Sequence, residues 1–244
     1  MKKLKNEFSE MLKTVGNDFT EKKLTALFPI KGKEYKSELM VIGRAFNGWG
    51  GKEDDICWEN KKGNPSKKTI ENIIGYSEEE IDVCPMKWIT DHWGLETEVN
   101  KNGFEYNMKK SAFWRVIKEI LSELKITSAE DWASHLVWSE LYKIASNKGG
   151  NPSAKLLNAQ FEKCKKVLNE EIIEFKPKRI LFLTGYDWFK DFENLGFNRD
   201  NIESSLVEWV GSYKNKNVKV VVAKQPQGKN ETEYVNQVIK YFNK

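Results

Sequence analysis

The sequence predicts a three-layer α/β/α sandwich on a mostly parallel sheet of about four strands, and three observations predict it. Apolar runs at Leu39 to Ile42, Arg179 to Thr184 and Val218 to Ala223 are too short for helices with a buried face, and suit strands covered on both sides. Longer segments at 111–125, 153–175 and 230–242 carry apolar residues at helical spacing. These two kinds of segment alternate, as they do when helices flank a parallel sheet. With 244 residues, 39% of them hydrophobic, the chain is read as one domain over 1–244, with a helical N-terminal extension over about 1–36 and an irregular Trp-rich insertion over about 50–107.

In chain order, Leu4, Phe8, Met11 and Leu12 fall on one face of a helix over 2–14, and a second short helix is expected from Glu21 to Leu27, ahead of Pro29. The first strand, Leu39 to Ile42, is expected to end at Gly43. In the insertion, 66–74 and 77–81 read as turns of helix, and Trp58, Trp88 and Trp93 either cap the core or stack on a ligand. Phe113, Val116, Ile117, Ile120, Leu121 and Leu124 form the stripe of the next helix. His135 to Ala145 reads as the second strand, before a breaker-rich loop from Ser146 to Pro152. Leu157, Phe161, Cys164, Leu168 and Ile172 give the buried face of a long helix that stops before Pro177. The third strand follows, then a short helix from Tyr186 to Leu195 and an edge strand at Ser205 to Val210. After the last strand, Asn230 reads as an N-cap with Glu233 as its capping-box partner.

Composition narrows the function. The net charge of +4 lies wholly in residues 1–36, where nine lysines face five acidic residues. This basic skirt is either a solvated face or a surface for phosphates. Cys57, Cys84 and Cys164 are widely spaced, with only His92 and His135 besides, so no metal, iron-sulfur centre or other cofactor is expected. No apolar run of about 18 residues and no signal-peptide pattern is present, so a cytoplasmic protein with free thiols and no membrane partner is expected.

The loop after the first strand is the leading candidate site, because ligands in open α/β sheets sit beyond the carboxyl ends of the strands. Gly43, Arg44, Ala45, Phe46, Asn47, Gly48 and Trp49 combine close backbone approach with an amide, a guanidinium and two rings.

The order of these pieces resembles the uracil-DNA glycosylase superfamily over about 39–242. The most telling segments are Ser111-Ala112-Phe113-Trp114-Arg115-Val116-Ile117, similar to a helix of the mismatch-specific branch, and Phe175-Lys176-Pro177-Lys178-Arg179-Ile180-Leu181, similar to the helix-to-strand joint of the bacterial branches. The resemblance implies a fold of that kind, a DNA or nucleobase-containing ligand, and cleavage of the bond between base and sugar. It implies that Asn47 positions water and that Gln225, at the start of the loop after the last strand, stabilises the departing base. Gln225 stands where the family usually has a histidine or asparagine, and Glu140 where it has a base-reading asparagine. An ionised carboxylate only accepts hydrogen bonds, so Glu140 would prefer an amino-bearing base edge, or act as general base. The alternative for Glu140 is a residue turned to solvent or paired with Arg44 or Lys143. Phe46, Trp49 and Phe113 are the rings available for stacking opposite Gly43; Lys148, Asn151, Lys224, Gln227, Gly228 and Lys229 are the candidates for a nucleic-acid backbone. Three functions stay open: a base-excising N-glycosidic hydrolase, a nucleic-acid or nucleobase binder that has lost the chemistry, and a protein-interaction scaffold.

Overall fold

The structure is a computed structural model, and it describes residues 1–16, 19–45, 54–78, 84–94, 98–99, 105–214 and 217–244. Along these the strands are β1 (Lys23–Ala26), β2 (Ile30–Lys31), β3 (Leu39–Ala45), β4 (Cys57–Glu59), β5 (Glu98–Val99), β6 (Glu105–Tyr106), β7 (Leu136–Tyr142), β8 (Ile144–Ser146), β9 (Arg179–Phe182), β10 (Phe197–Arg199), β11 (Val207–Tyr213) and β12 (Val218–Ala223). The helices are α1 (Lys2–Thr14), α2 (Lys67–Gly75), α3 (Lys87–Asp91), α4 (Ala112–Glu123), α5 (Ala154–Phe175), α6 (Tyr186–Phe189) and α7 (Glu231–Phe242).

The protein is mixed α/β, but its main sheet is larger and less parallel than the sequence predicts. It has seven strands in the order β10-β11-β12-β9-β3-β7-β2. The inner pairings β12 to β9, β9 to β3 and β3 to β7 are parallel. The outer pairings β10 to β11, β11 to β12 and β2 to β7 are antiparallel. The outer strands escaped the expectation because two of them are only two and three residues long, too short to show a period. β11, expected as the edge, is covered by β10.

Alternate residues of the inner strands feed two cores. Met40 and Ile42 of β3, Ile180 and Phe182 of β9, and Val220 and Val222 of β12 pack with α1, α2 and α5. Leu39 and Val41, Leu181, and Val221 and Ala223 pack with α3, α4 and α7. This period of two, with both faces covered, is why the strands read as continuous apolar runs.

Three further readings are corrected. Residues 23–26 form a strand, so the N-terminal extension is not all helical: β1 lies between β4 and β8 in a separate three-stranded sheet, and β2 joins the main sheet. Buried Thr25 donates its hydroxyl to the Ile56 carbonyl at 3.0 Å, a tertiary bond that outweighs local helix preference. β3 runs two residues past Gly43, to Ala45. The expected second strand splits at Lys143, with β7 in the main sheet and β8 in the small one.

Elsewhere local chemistry sets the boundaries. Ser66, Ser153 and Asn230 accept the backbone N–H of Thr69, Leu156 and Glu233, capping α2, α5 and α7. Such caps contribute about 1 kcal/mol each. On the α5 face Cys164, Leu168 and Ile172 are buried, while Leu157 and Phe161 are half-buried at its margin. Of the insertion, α2 begins where the sequence places it, whereas 79–81 lie outside the described residues. Trp58 packs with the α5-side core, and Trp88 meets Trp114 and Trp138, each at 6.0 Å, on the other face.

Candidate functional site

Because β3, β9 and β12 are parallel, the chain leaves all three at one edge of the sheet, and a cleft of about 320 Å³ opens there. Arg44 enters it from the end of β3, and Thr184, Gly185, Tyr186 and Asp187 from beyond β9. Lys224, Gln225, Gln227 and Lys229 follow β12, and Glu208 comes from β11. Cross-links between these segments hold the rim. The Gly185 N–H donates to the Ala223 carbonyl and the Lys224 N–H to the Leu206 carbonyl, both at 2.9 Å. The loop after β12 turns at Gly228, whose φ of +71° favours glycine, and the Lys229 N–H donates to the Pro226 carbonyl at 3.0 Å. Its far end is anchored by Arg115 of α4, whose guanidinium grips the Glu231 carboxylate at the start of α7, with Nε donating at 2.9 Å.

Arg44 is held rather than free to swing. Its Nε donates to the Thr184 carbonyl at 2.6 Å, and its guanidinium lies 5.5 Å from the Trp188 ring centroid. Half-burial lowers its pKa, while the charges of Glu208 and Asp187 raise it, and a guanidinium so placed stays charged at neutral pH. The lining thus carries the cations Arg44, Lys224 and Lys229 against the anions Asp187 and Glu208.

Behind this cleft, in the core, is a second ionisable cluster. The Lys143 ammonium is fully buried, pairs with fully buried Glu171 at 2.6 Å, and donates to Ser139 Oγ at 2.6 Å and to the Glu140 carbonyl. Glu140, 5% exposed, stands opposite Gly43 across the β3 to β7 ladder. Burial pushes its pKa from the ordinary 4.5 up to about 8, against the Lys143 charge. One of its oxygens, Oε2, has no hydrogen-bond partner among the described residues. A Cβ on Gly43 would lie 2.2 Å from that oxygen, so the glycine is what leaves room for the carboxyl. At neutral pH Glu140 is therefore mostly a neutral acid, with a donor as well as an acceptor. Burial rules out the solvent-facing alternative, and the raised pKa weighs against the ionised carboxylate expected from the sequence.

The expected site residues divide accordingly. Arg44, Lys224, Gln225, Gln227 and Lys229 come together in the cleft, and Gly228 forms the turn between two of them. Gly43 and Glu140 lie behind it and do not line it. Ala45 packs against the α5-side core, and Phe113 stacks edge-on to Trp114 at 4.9 Å. Lys148 and Asn151 belong to the loop from β8 to α5, where the Asn147 N–H donates to the Lys23 carbonyl at 3.1 Å, and they do not line the cleft. Phe46, Asn47, Gly48 and Trp49 lie outside the described residues. Thr184, Gly185, Tyr186, Asp187 and Glu208 are the residues sequence reasoning missed; the Thr-Gly ending of the third strand was the available signal for the first two.

No family model matches the chain, and no curated protein matches it. Among the described residues no group of three or more His, Cys, Asp and Glu stands where it would hold a metal ion, and no helix is long and apolar enough to cross a membrane.

Proposed function

We propose that this protein is a divergent uracil-DNA-glycosylase-like N-glycosidic hydrolase that excises a base from DNA. The observation that carries the reading is that Arg44, from the end of the first parallel strand, and Lys224, Gln225, Gln227 and Lys229, from the loop after the last, line one cleft at the carboxyl ends of the strands. Lys224 and Lys229 suit the phosphates that flank an extruded nucleotide. Gln225 offers the departing base a neutral N–H donor.

Gln225 is exposed and uncharged, which favours one second reading, a nucleobase-binding protein without the chemistry. Losing a well-placed donor lowers a rate by about 100- to 1000-fold. Uracil excision by the parent is accordingly expected to be slow, with Gln225→His faster and Asn47→Ala slower. The assay is alkaline cleavage of labelled oligonucleotides carrying uracil, hypoxanthine, xanthine or a thymine mismatch. Binding with no excision of any base by any variant would replace the hydrolase reading with the second one.

A further inference from the structure

We propose that Glu208 is a catalytic carboxylate of this cleft, the group that takes the proton of the attacking water; this rests on the hydrolase reading above. The first ground is how the backbone delivers it. β11 pairs with β12 in steady register except at one point, where Val207 faces Ala223 and Trp209 faces Val222, leaving Glu208 as an extra residue. Such a bulge re-aims a side chain. Its effect is visible on either side: Val207 and Trp209, two apart on one strand, pack into opposite cores. Glu208 is turned out of both, onto the rim of the cleft.

The second ground is how the carboxylate is fixed there. Oε2 accepts the Tyr186 N–H at 2.7 Å, and Oε1 accepts no hydrogen bond from the described residues. A Cβ on Gly185 would lie 3.4 Å from Glu208 Oε2 and 3.5 Å from Arg44 Nη2, so the two charged tips approach one point from two sides. They form no ion pair with each other among the described residues, although the Glu208 charge acts on the Arg44 guanidinium. A small group that both accepts and donates, such as water, bridges a guanidinium and a carboxylate set this way. Glycine at 185, with φ +76°, keeps the gap open.

In the step, the water oxygen bonds to the anomeric carbon as the carbon–nitrogen bond breaks. The bonding pair leaves with the base, and the water proton passes to the Glu208 carboxylate. The departed base is then protonated from solvent, and Glu208 returns its proton there. Arg44 orients the water, and the carboxylate charge also favours the cationic sugar that forms as the bond breaks.

The test is single-turnover excision, with steady-state kcat and KM, for the parent, Glu208→Gln and Glu208→Ala, each also followed by thermal unfolding. Glu208→Gln keeps an oxygen for the Tyr186 N–H. A general base accounts for about 100- to 10,000-fold in rate, so kcat is expected to fall by at least about 100-fold with KM little changed. Added formate, an external carboxylate, is expected to raise the rate of Glu208→Ala and leave the parent unchanged. Parent-like excision by Glu208→Gln overturns this inference alone. Loss of activity with no rescue of Glu208→Ala by formate makes Glu208 structural and also overturns it. No excision by the parent overturns the hydrolase reading and this inference together.

Discussion

Replacing Lys143 by methionine tests the buried cluster behind the cleft. Lys143 and Glu171 are both 0% exposed and 2.6 Å apart, and Ser139 completes the network. Burial raises the Glu171 pKa, opposed chiefly by the Lys143 charge, and the same charge opposes the rise at Glu140. Without the ammonium Glu171 loses its counter-charge, and the Glu140 carbonyl loses a donor. Removing one partner of a buried pair costs about 3–5 kcal/mol, out of a total stability of roughly 5–15 kcal/mol. At about 2–4 °C per kcal/mol for a chain of this size, the midpoint is expected to drop by roughly 6–20 °C. The double variant Lys143→Met, Glu171→Leu should recover much of the loss, because it leaves fewer buried charges unmatched. Thermal and urea unfolding of the parent, the single and the double variant measure this. A loss below about 1 kcal/mol for Lys143→Met, or a double variant less stable than the single, would show that the buried pair is not what Lys143 stabilises.

Two further outcomes follow from Glu140. Its folded pKa, about 8, lies above the ordinary 4.5, so the folded state binds more protons than the unfolded one between those values. Stability should therefore fall as pH rises from about 4.5 to 8, by up to about 1.4 kcal/mol per unit, and Glu140→Gln should flatten that slope in an unfolding series; a parent that gains stability over this window would contradict the assignment. Gly43→Ala places a Cβ 2.2 Å from Glu140 Oε2 and 2.7 Å from its Cδ, and should cost about 1–3 kcal/mol, the range for overpacking. In a Glu140→Ala background that cost should vanish, and an unchanged cost in the double-mutant cycle would show that the carboxyl is not what fills the space.

The parts of this architecture that the sequence declares are those where one local signal suffices. Leu39 to Ile42, Arg179 to Phe182 and Val218 to Ala223 are apolar on both faces, so their strands are visible without knowing their neighbours. Caps at Ser153 and Asn230 are equally local. β1 is not, because its residues Lys23 to Ala26 form a strand only by pairing with β4, some thirty residues later, and with β8. The same holds in the site. Arg44 and Gln225 could be proposed from the loops that carry them, since parallel strands bring such loops to one edge. Glu208 could not, because its position depends on a one-residue slip in the pairing of β11 with β12. The protonation of Glu140 was likewise out of reach, since it follows from burial against Gly43 and Trp138 and not from residue type.

The proposed function requires nucleic acid to bind at the cleft on the carboxyl edge of the parallel strands. The most direct measurement is the affinity of a fluorescent oligonucleotide across a salt series, for the parent, for Lys224→Glu with Lys229→Glu, and for Lys2→Glu with Lys3→Glu on α1. Each phosphate contact contributes about 0.7–0.9 to the log-log slope of affinity against salt. The cleft variant is expected to bind more weakly and to lose roughly 1.4–1.8 of that slope, with the α1 variant close to the parent. No binding by the parent at low salt, or weakening confined to the α1 variant, would contradict it.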